Sequence, residues 1–292
     1  MKYKLNTTYK NLLADTITPV SIYLKLRDKF PNTILLESSD YHGNENSFSY
    51  ICCKPIAGIK IENEIITTNF PDGSTQTKNI TKTVSVPDEI KNFADCFDAN
   101  KNDFKFITNG LFGYIAYDAV RYFEDINITS PKKENKTIPD IIYSVYQYVI
   151  VLDHSKDQLY IFDHNAQNDS TEGIAYIESI INNKNFSTYK FETVGEEKSN
   201  VTDDEYIAMV DKGISHCKRG DVFQIVLSRE FSQQYKGDDF NLYRSLRSVN
   251  PSPYLFYFDF GSFRLFGSSP EAQLVVKNGE AAIHPIAGTF RR

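Results

Sequence analysis

The sequence predicts a mostly β fold with several helices and no regular βαβ alternation. Three observations carry this. Apolar runs of strand length recur, among them Ile34-Leu35-Leu36 and the two runs of SVYQYVIVLDHSKDQLYIFDH (144–164). Helical periodicity is confined to a few segments. There is no internal repeat and no Gly-rich phosphate loop.

In chain order, Thr18-Pro19 opens a helix, a cap residue followed by proline where its missing N–H costs nothing. Tyr23 and Leu24 lie with Val20 on its apolar face, and it runs out near Phe30-Pro31. NTILLESS reads as a buried strand and SFSYICC as another. The segment 58–82 holds a hairpin with Pro71-Asp72-Gly73 as turn material. Segment 144–164 is the clearest hairpin, turning at His154-Ser155-Lys156-Asp157. A helix with Ile174, Ile177 and Ile181 on one stripe follows.

Between Asn182 and Thr202 the composition turns polar, which divides the chain into regions 1–185 and 200–292. Thr202-x-x-Glu205 is a capping box, and its helix carries Ile207, Val210, Ile214 and Cys217 before ending at Arg219-Gly220. DVFQIVLSREF then alternates like a strand: Phe223, Ile225 and Leu227 on one face, Val222, Gln224, Val226 and Ser228 on the other. A glutamine among valines needs partners, so Gln224 is either a satisfied core amide or a site residue. NPSPYLFYFDF sets two prolines before an aromatic strand, and Gly267-Ser268-Ser269-Pro270 breaks the strand pair after it.

Composition excludes several function classes. Lys and Arg total 32 against 38 Asp and Glu, a net charge of −6 that disfavours nucleic acid as a partner. An apolar content of 41 % with 14 % aromatics is enough for a folded core. The start, MKYKLNTTYK, lacks a signal-peptide core, and no apolar run has bilayer length, so a cytoplasmic protein is the expectation. Cys52, Cys53, Cys96 and Cys217 form no C-x-x-C pair, and Cys52–Cys53 reads as two reduced packing residues on a strand. The five histidines form no metal motif.

Six segments in register resemble the chorismate-utilising enzymes, and among them the anthranilate synthase component I family. They are LLES (35–38), GLFGYIAYDAVRYFE (110–124), GDVFQIVLS (220–228), NPSPYLFYFDF (250–260), GSSPE (267–271) and PIAGT (285–289). The resemblance implies an α+β fold in which two β-sheet lobes, flanked by helices, enclose an active site. In the family PIAGT leads into a further large segment bearing the Mg2+ ligands, the catalytic histidine and most substrate contacts. The chain therefore reads as an N-terminal portion, with Mg2+ ligands expected beyond Arg292 and no turnover expected of it alone.

Two positions discriminate within that resemblance. Members that activate water place a lysine where this chain has Gln224, and a glutamine has no titratable base. Members that make aminodeoxychorismate place a nucleophilic lysine inside the motif, where this chain has Ala287. With neither amine, nitrogen has to arrive as ammonia, the anthranilate synthase arrangement, which also moves Gln224 toward the active-site reading. Gly288 and Thr289 offer a backbone N–H and a hydroxyl to chorismate, so the implied catalytic residues are Gln224 and Thr289.

The resemblance also implies a regulatory pocket where LLES meets NPSPY and binds tryptophan. Pro253, Tyr254 and Leu255 suit the indole, and Glu37 and Ser38 suit the amino-acid head. The implied partner is a glutamine amidotransferase supplying ammonia. Aminodeoxychorismate synthase and a non-catalytic tryptophan-binding module are the alternatives.

Overall fold

A computed structural model describes residues 2–38, 47–99, 102–128, 138–166, 173–277 and 279–285. The chain forms two compact units, Met1–Ser187 with Leu246–Arg292, and Thr188–Ser245. The sequence reading divides the chain in order, at 185–200; the contacts return the stretch from Leu246 onward to the first unit.

The first unit opens with β1 (Tyr3–Leu13), α1 (Pro19–Leu26), β2 (Ile34–Ser38), β3 (Phe48–Glu62), β4 (Ile65–Asn69) and β5 (Thr75–Asn79). It continues with α2 (Val86–Ala94), β6 (Phe97–Ala99), β7 (Phe112–Ile115), a 3-10 turn at Tyr117–Tyr122, β8 (Ile141–Asp153), β9 (Gln158–Asn165) and α3 (Gly173–Asn182). The second unit holds β10 (Phe191–Ser199), α4 (Asp203–Arg219) and β11 (Phe231–Gly237), and the unit boundary falls inside α5 (Phe240–Val249). Strands β12 (Tyr254–Asp259), β13 (Arg264–Ser269), β14 (Leu274–Lys277) and β15 (Glu280–Ile283) return to the first unit. The class is α+β, as expected.

Among the described residues, eleven strands form one sheet: β13-β12-β2-β3-β8-β9-β1-β6 in order, with β4 beside β3, β5 beside β4 and β7 beside β8. β3 and β8 are its spine. Their ladder runs from Phe48↔Asp153 to Ile61↔Ile141, with a bulge between Pro55 and Ala57; just before it Lys54 takes a φ of 59°. Cys52 and Cys53 are buried on opposite faces of β3 as free thiols, and burial raises both pKa values. The β3–β4 hairpin turns on Asn63-Glu64, both with positive φ, which matches the twist of the flanking strands. The Pro71-Asp72-Gly73 turn closes the next hairpin, β4–β5: Gly73 N–H donates to Phe70 O at 3.0 Å and Ser74 N–H to Asp72 Oδ1 at 2.9 Å.

Local signals formed the helices they predicted. Thr18 Oγ1 accepts from Ser21 N–H at 3.2 Å, and α1 buries Ile22, Tyr23, Leu24 and Leu26 against the sheet. Each such apolar side chain contributes roughly 2 kcal/mol. In α4 the Thr202–Glu205 capping box is complete, and Gly220 ends the helix at φ 81°. One expectation is corrected: Gly267-Ser268-Ser269 does not break the strand pair but completes β13, opposite Phe256, Leu255 and Tyr254. A Cβ on Gly267 would lie 2.6 Å from Phe256 Cζ, so the glycine is there to let the ring cover it. The strand stops at Pro270, which has no N–H to continue the ladder.

His164 on β9 ties its register partner on β1 to the segment before β7. Its Nδ1 shares a 2.9 Å hydrogen bond with Thr7 Oγ1, and its Nε2 bonds Thr108 O at 2.8 Å. Burial lowers its pKa from 6.5, outweighing the Thr108 carbonyl and Asp163. The unfolded chain therefore binds a proton that the folded chain resists, so stability is full above 6.5 and falls as pH drops through the folded value. Thermal unfolding should give a lower Tm at pH 5.5 than at 7.5, with a smaller difference in His164→Gln. An equal difference in the variant would show that His164 does not carry the effect. No helix among the described residues is long and apolar enough to cross a membrane.

Candidate functional site

LLES and NPSPY meet as neighbouring strands. β2 and β12 pair antiparallel, with Glu37 opposite Leu255 and Ser38 opposite Tyr254. The proline-rich approach to β12 fixes where it starts: α5 ends with Asn250 N–H on Leu246 O, and Pro251 and Pro253 restrict the backbone that follows. Ser268 Oγ donates to Asn250 O at 2.6 Å and ties this corner to β13. Because successive residues alternate between faces, Leu36, Ser38, Tyr254 and Phe256 share one side, and Glu37 and Leu255 the other.

The first side opens on an apolar groove of about 750 Å3, whose walls include Tyr50, Phe112, Tyr114, Tyr254 and Phe256. Burial pushes the Tyr50 phenol up to about 12, and burial with Asp140 nearby raises that of Tyr114, so both stay uncharged. Gly113 lets β7 approach β8 closely enough to form one wall, pairing opposite Tyr143.

The second side is polar. A cavity of about 360 Å3 is lined by Glu37, Ser38, Ser47, Ser49, His154 and Arg247, with Leu255 and Pro251. Glu37's side chain is only 6 % exposed, and Arg247 Nε meets its Oε2 at 3.0 Å and its Oε1 at 3.2 Å. His154 Nε2 and Ser49 Oγ share a 2.8 Å hydrogen bond, and Ser47 Oγ donates to the Ser38 carbonyl at 2.8 Å. Burial holds the His154 imidazole below 6.5 against the opposing pull of Glu37 and Asp153, so it is neutral at neutral pH. Glu37, Ser38 and Leu255 line both spaces. A flat apolar groove adjoining a cavity with a buried carboxylate and a guanidinium suits an amphiphile with a charged head.

Of the expected pocket residues, Glu37, Ser38, Tyr254 and Leu255 are thus brought together; Pro253 is half-buried and immediately precedes β12. Sequence reasoning missed Arg247, His154, Ser47 and Ser49. Arg247 sits in the last turn of α5, a helix not foreseen, and His154 follows β8, the strand that pairs with Ser49 through Leu152.

The other expected site is differently placed. Residues 222–228 form no strand, and Gln224 is exposed, which corrects both the strand and the core-amide readings. A strand needs a neighbour to take its N–H and C=O groups, and among the described residues none lies beside 222–228. Ile225 and Leu227 approach Gly213 of α4 instead, whereas Phe223 and Val226 are 107 % and 83 % exposed. Ala287, Gly288 and Thr289 lie outside the described residues. Among the described residues no three His, Cys, Asp or Glu side chains gather as a metal site.

Known proteins align with nearly all of this chain. A family model described as chorismate binding enzyme matches residues 32–292. Anthranilate synthase component 1 of Lactococcus lactis subsp. lactis is 30 % identical over 97 % of this chain and 61 % of its own length. That of Aquifex aeolicus is 31 % identical over 99 % and 60 %. The crystal structure of anthranilate synthase component I from Streptococcus pneumoniae matches the fold, with a TM-score of 0.59 at 23 % identity, covering 92 % of this chain and 59 % of that one. The chain spans less than two thirds of the length of these relatives.

Proposed function

The chain belongs to the chorismate-binding enzyme family, and we propose that within it the protein is the synthase component of anthranilate synthase, acting in the cytoplasm with a glutamine amidotransferase. Ammonia adds at C2 of chorismate as the C4 hydroxyl leaves, and elimination of pyruvate then leaves anthranilate. The sum balances: chorismate and ammonia give anthranilate, pyruvate and water. The observation that carries this reading is the absence of an amine at 224 and 287. A glutamine and an alanine supply neither a base for water nor a covalent nucleophile. Relatives named anthranilate synthase component 1, at 30 % and 31 % identity, support it. Gly288 and Thr289 are the chain's own proposed contacts to chorismate, and Gln224 and Thr289 its proposed catalytic residues. Mg2+, when bound, would supply Lewis-acid polarisation of the ring carboxylate; among the described residues no three His, Cys, Asp or Glu side chains gather to hold it. The full-length protein given chorismate, Mg2+ and an ammonium salt should release fluorescent anthranilate; aminodeoxychorismate as the product would overturn the assignment.

A regulatory reading of the β2–β12 site rests on a separate observation, the junction of apolar groove and charged cavity at Glu37, Ser38 and Leu255. The indole of tryptophan would lie in the groove and its head in the cavity. Coupling to catalysis would be of the usual allosteric size, roughly 1–3 kcal/mol. Ser38→Phe fills the junction and is expected to weaken L-tryptophan binding on the order of 100-fold, about 3 kcal/mol, and to relieve inhibition. Unchanged inhibition would remove tryptophan from this pocket. Tight tryptophan binding without chorismate binding or turnover in the full-length protein would favour a non-catalytic tryptophan-binding module.

A further inference from the structure

The Glu37–Arg247 pair has a consequence for how the pocket chooses its ligand, one that rests on the reading of this site as an amino-acid pocket. Glu37 is a carboxylate with a 6 % exposed side chain, and a buried charge without a counter-ion is costly. A ligand that engages Glu37 must therefore bring its own cation, and in doing so it displaces the guanidinium already there. Arg247 is suited to being displaced. Its side chain is 46 % exposed, and it meets both oxygens of Glu37 through Nε alone rather than through a two-toothed fork. The displaced guanidinium stays within the same cavity, where it matches a carboxylate. His154, the other basic side chain lining the cavity among the described residues, is kept neutral by burial and does not compete for either charge.

We propose that Arg247 is a specificity residue working by exchange: the ligand's ammonium replaces it on Glu37, and it turns to take the ligand's carboxylate. The pocket thereby selects a zwitterionic α-amino acid over a bare amine or a bare acid, since only the zwitterion leaves both side chains paired.

Calorimetry of the full chain with three probes tests this: L-tryptophan, tryptamine, which lacks the carboxylate, and indole-3-propionate, which lacks the ammonium. Arg247→Gln should weaken L-tryptophan roughly tenfold or more, while tryptamine, no longer required to displace a cation, binds as well as before or better. Arg247→Lys, which keeps a cation for Glu37 but loses the fork, should also lower the tryptophan-to-tryptamine preference. Both variants are checked for native circular dichroism. If neither changes that preference, or if both probes weaken equally, Arg247 merely holds α5 to β2 and the exchange is wrong. If the unaltered chain binds no L-tryptophan, the amino-acid reading of the pocket itself fails.

Discussion

Alanine at position 113 is expected to cost the chain about 3 kcal/mol, the upper end of what overpacking does, and to detach β7 from the sheet. An ideal Cβ there would stand 1.8 Å from the carbonyl oxygen of Ile142, 2.7 Å from its carbon and 2.9 Å from Tyr143 Cα. All three are backbone atoms of β8, which is paired on both sides and cannot retreat as a side chain would. Because β7 forms a wall of the apolar groove, L-tryptophan binding should fall along with stability. Denaturant unfolding of Gly113→Ala within 0.5 kcal/mol of the parent, the range of a neutral surface change, would show that β7 does not need this close approach.

Asp140→Ala should be similarly damaging, by about 3 kcal/mol, because it leaves a partly buried arginine without its counter-ion. Asp140 has a 5 % exposed side chain; its Oδ2 accepts from Arg121 Nη2 at 2.6 Å and from Tyr122 OH at 2.9 Å. Its backbone closes the same corner, N–H to Ile61 O and C=O from Ala116 N–H, both at 2.8 Å. Burial and the bond to Asp140 raise the Tyr122 pKa, so the phenol stays a donor. Adding Arg121→Ala to Asp140→Ala should cost little more, since the orphaned charge goes with it. Additive losses in urea unfolding would mean that the two residues act independently.

Both positions lie in GLFGYIAYDAVRYFE or pair with it, yet nothing local in that segment announces the contacts. What the sequence made legible was local chemistry: the Thr18-Pro19 start, the Thr202–Glu205 box with its Gly220 stop, and the 154–157 turn. β1 was missed because its stretch is polar and largely exposed; it forms through pairing with β9, more than 140 residues away, as in Leu13↔Gln158. α2 does carry a local signal, Ser85 capping Asp88 N–H with proline in the first turn. Residues 222–228 failed in the opposite direction, since alternation marks a strand only where another strand lies beside it. The β2–β12 site was found by resemblance of two motifs, not by periodicity, and its charged partner Arg247 lies 210 residues from Glu37, beyond any local signal.

If the proposed function holds, the nitrogen of the product comes from free ammonia and not from a side chain of this protein. Mass spectrometry of the product formed by the full-length protein from chorismate, Mg2+ and 15N-ammonium, with no amidotransferase present, decides this. The expected product is anthranilate carrying the heavy nitrogen, with no ring-derived adduct on the polypeptide. Unlabelled product, a covalent chorismate adduct, or no anthranilate at all would contradict it.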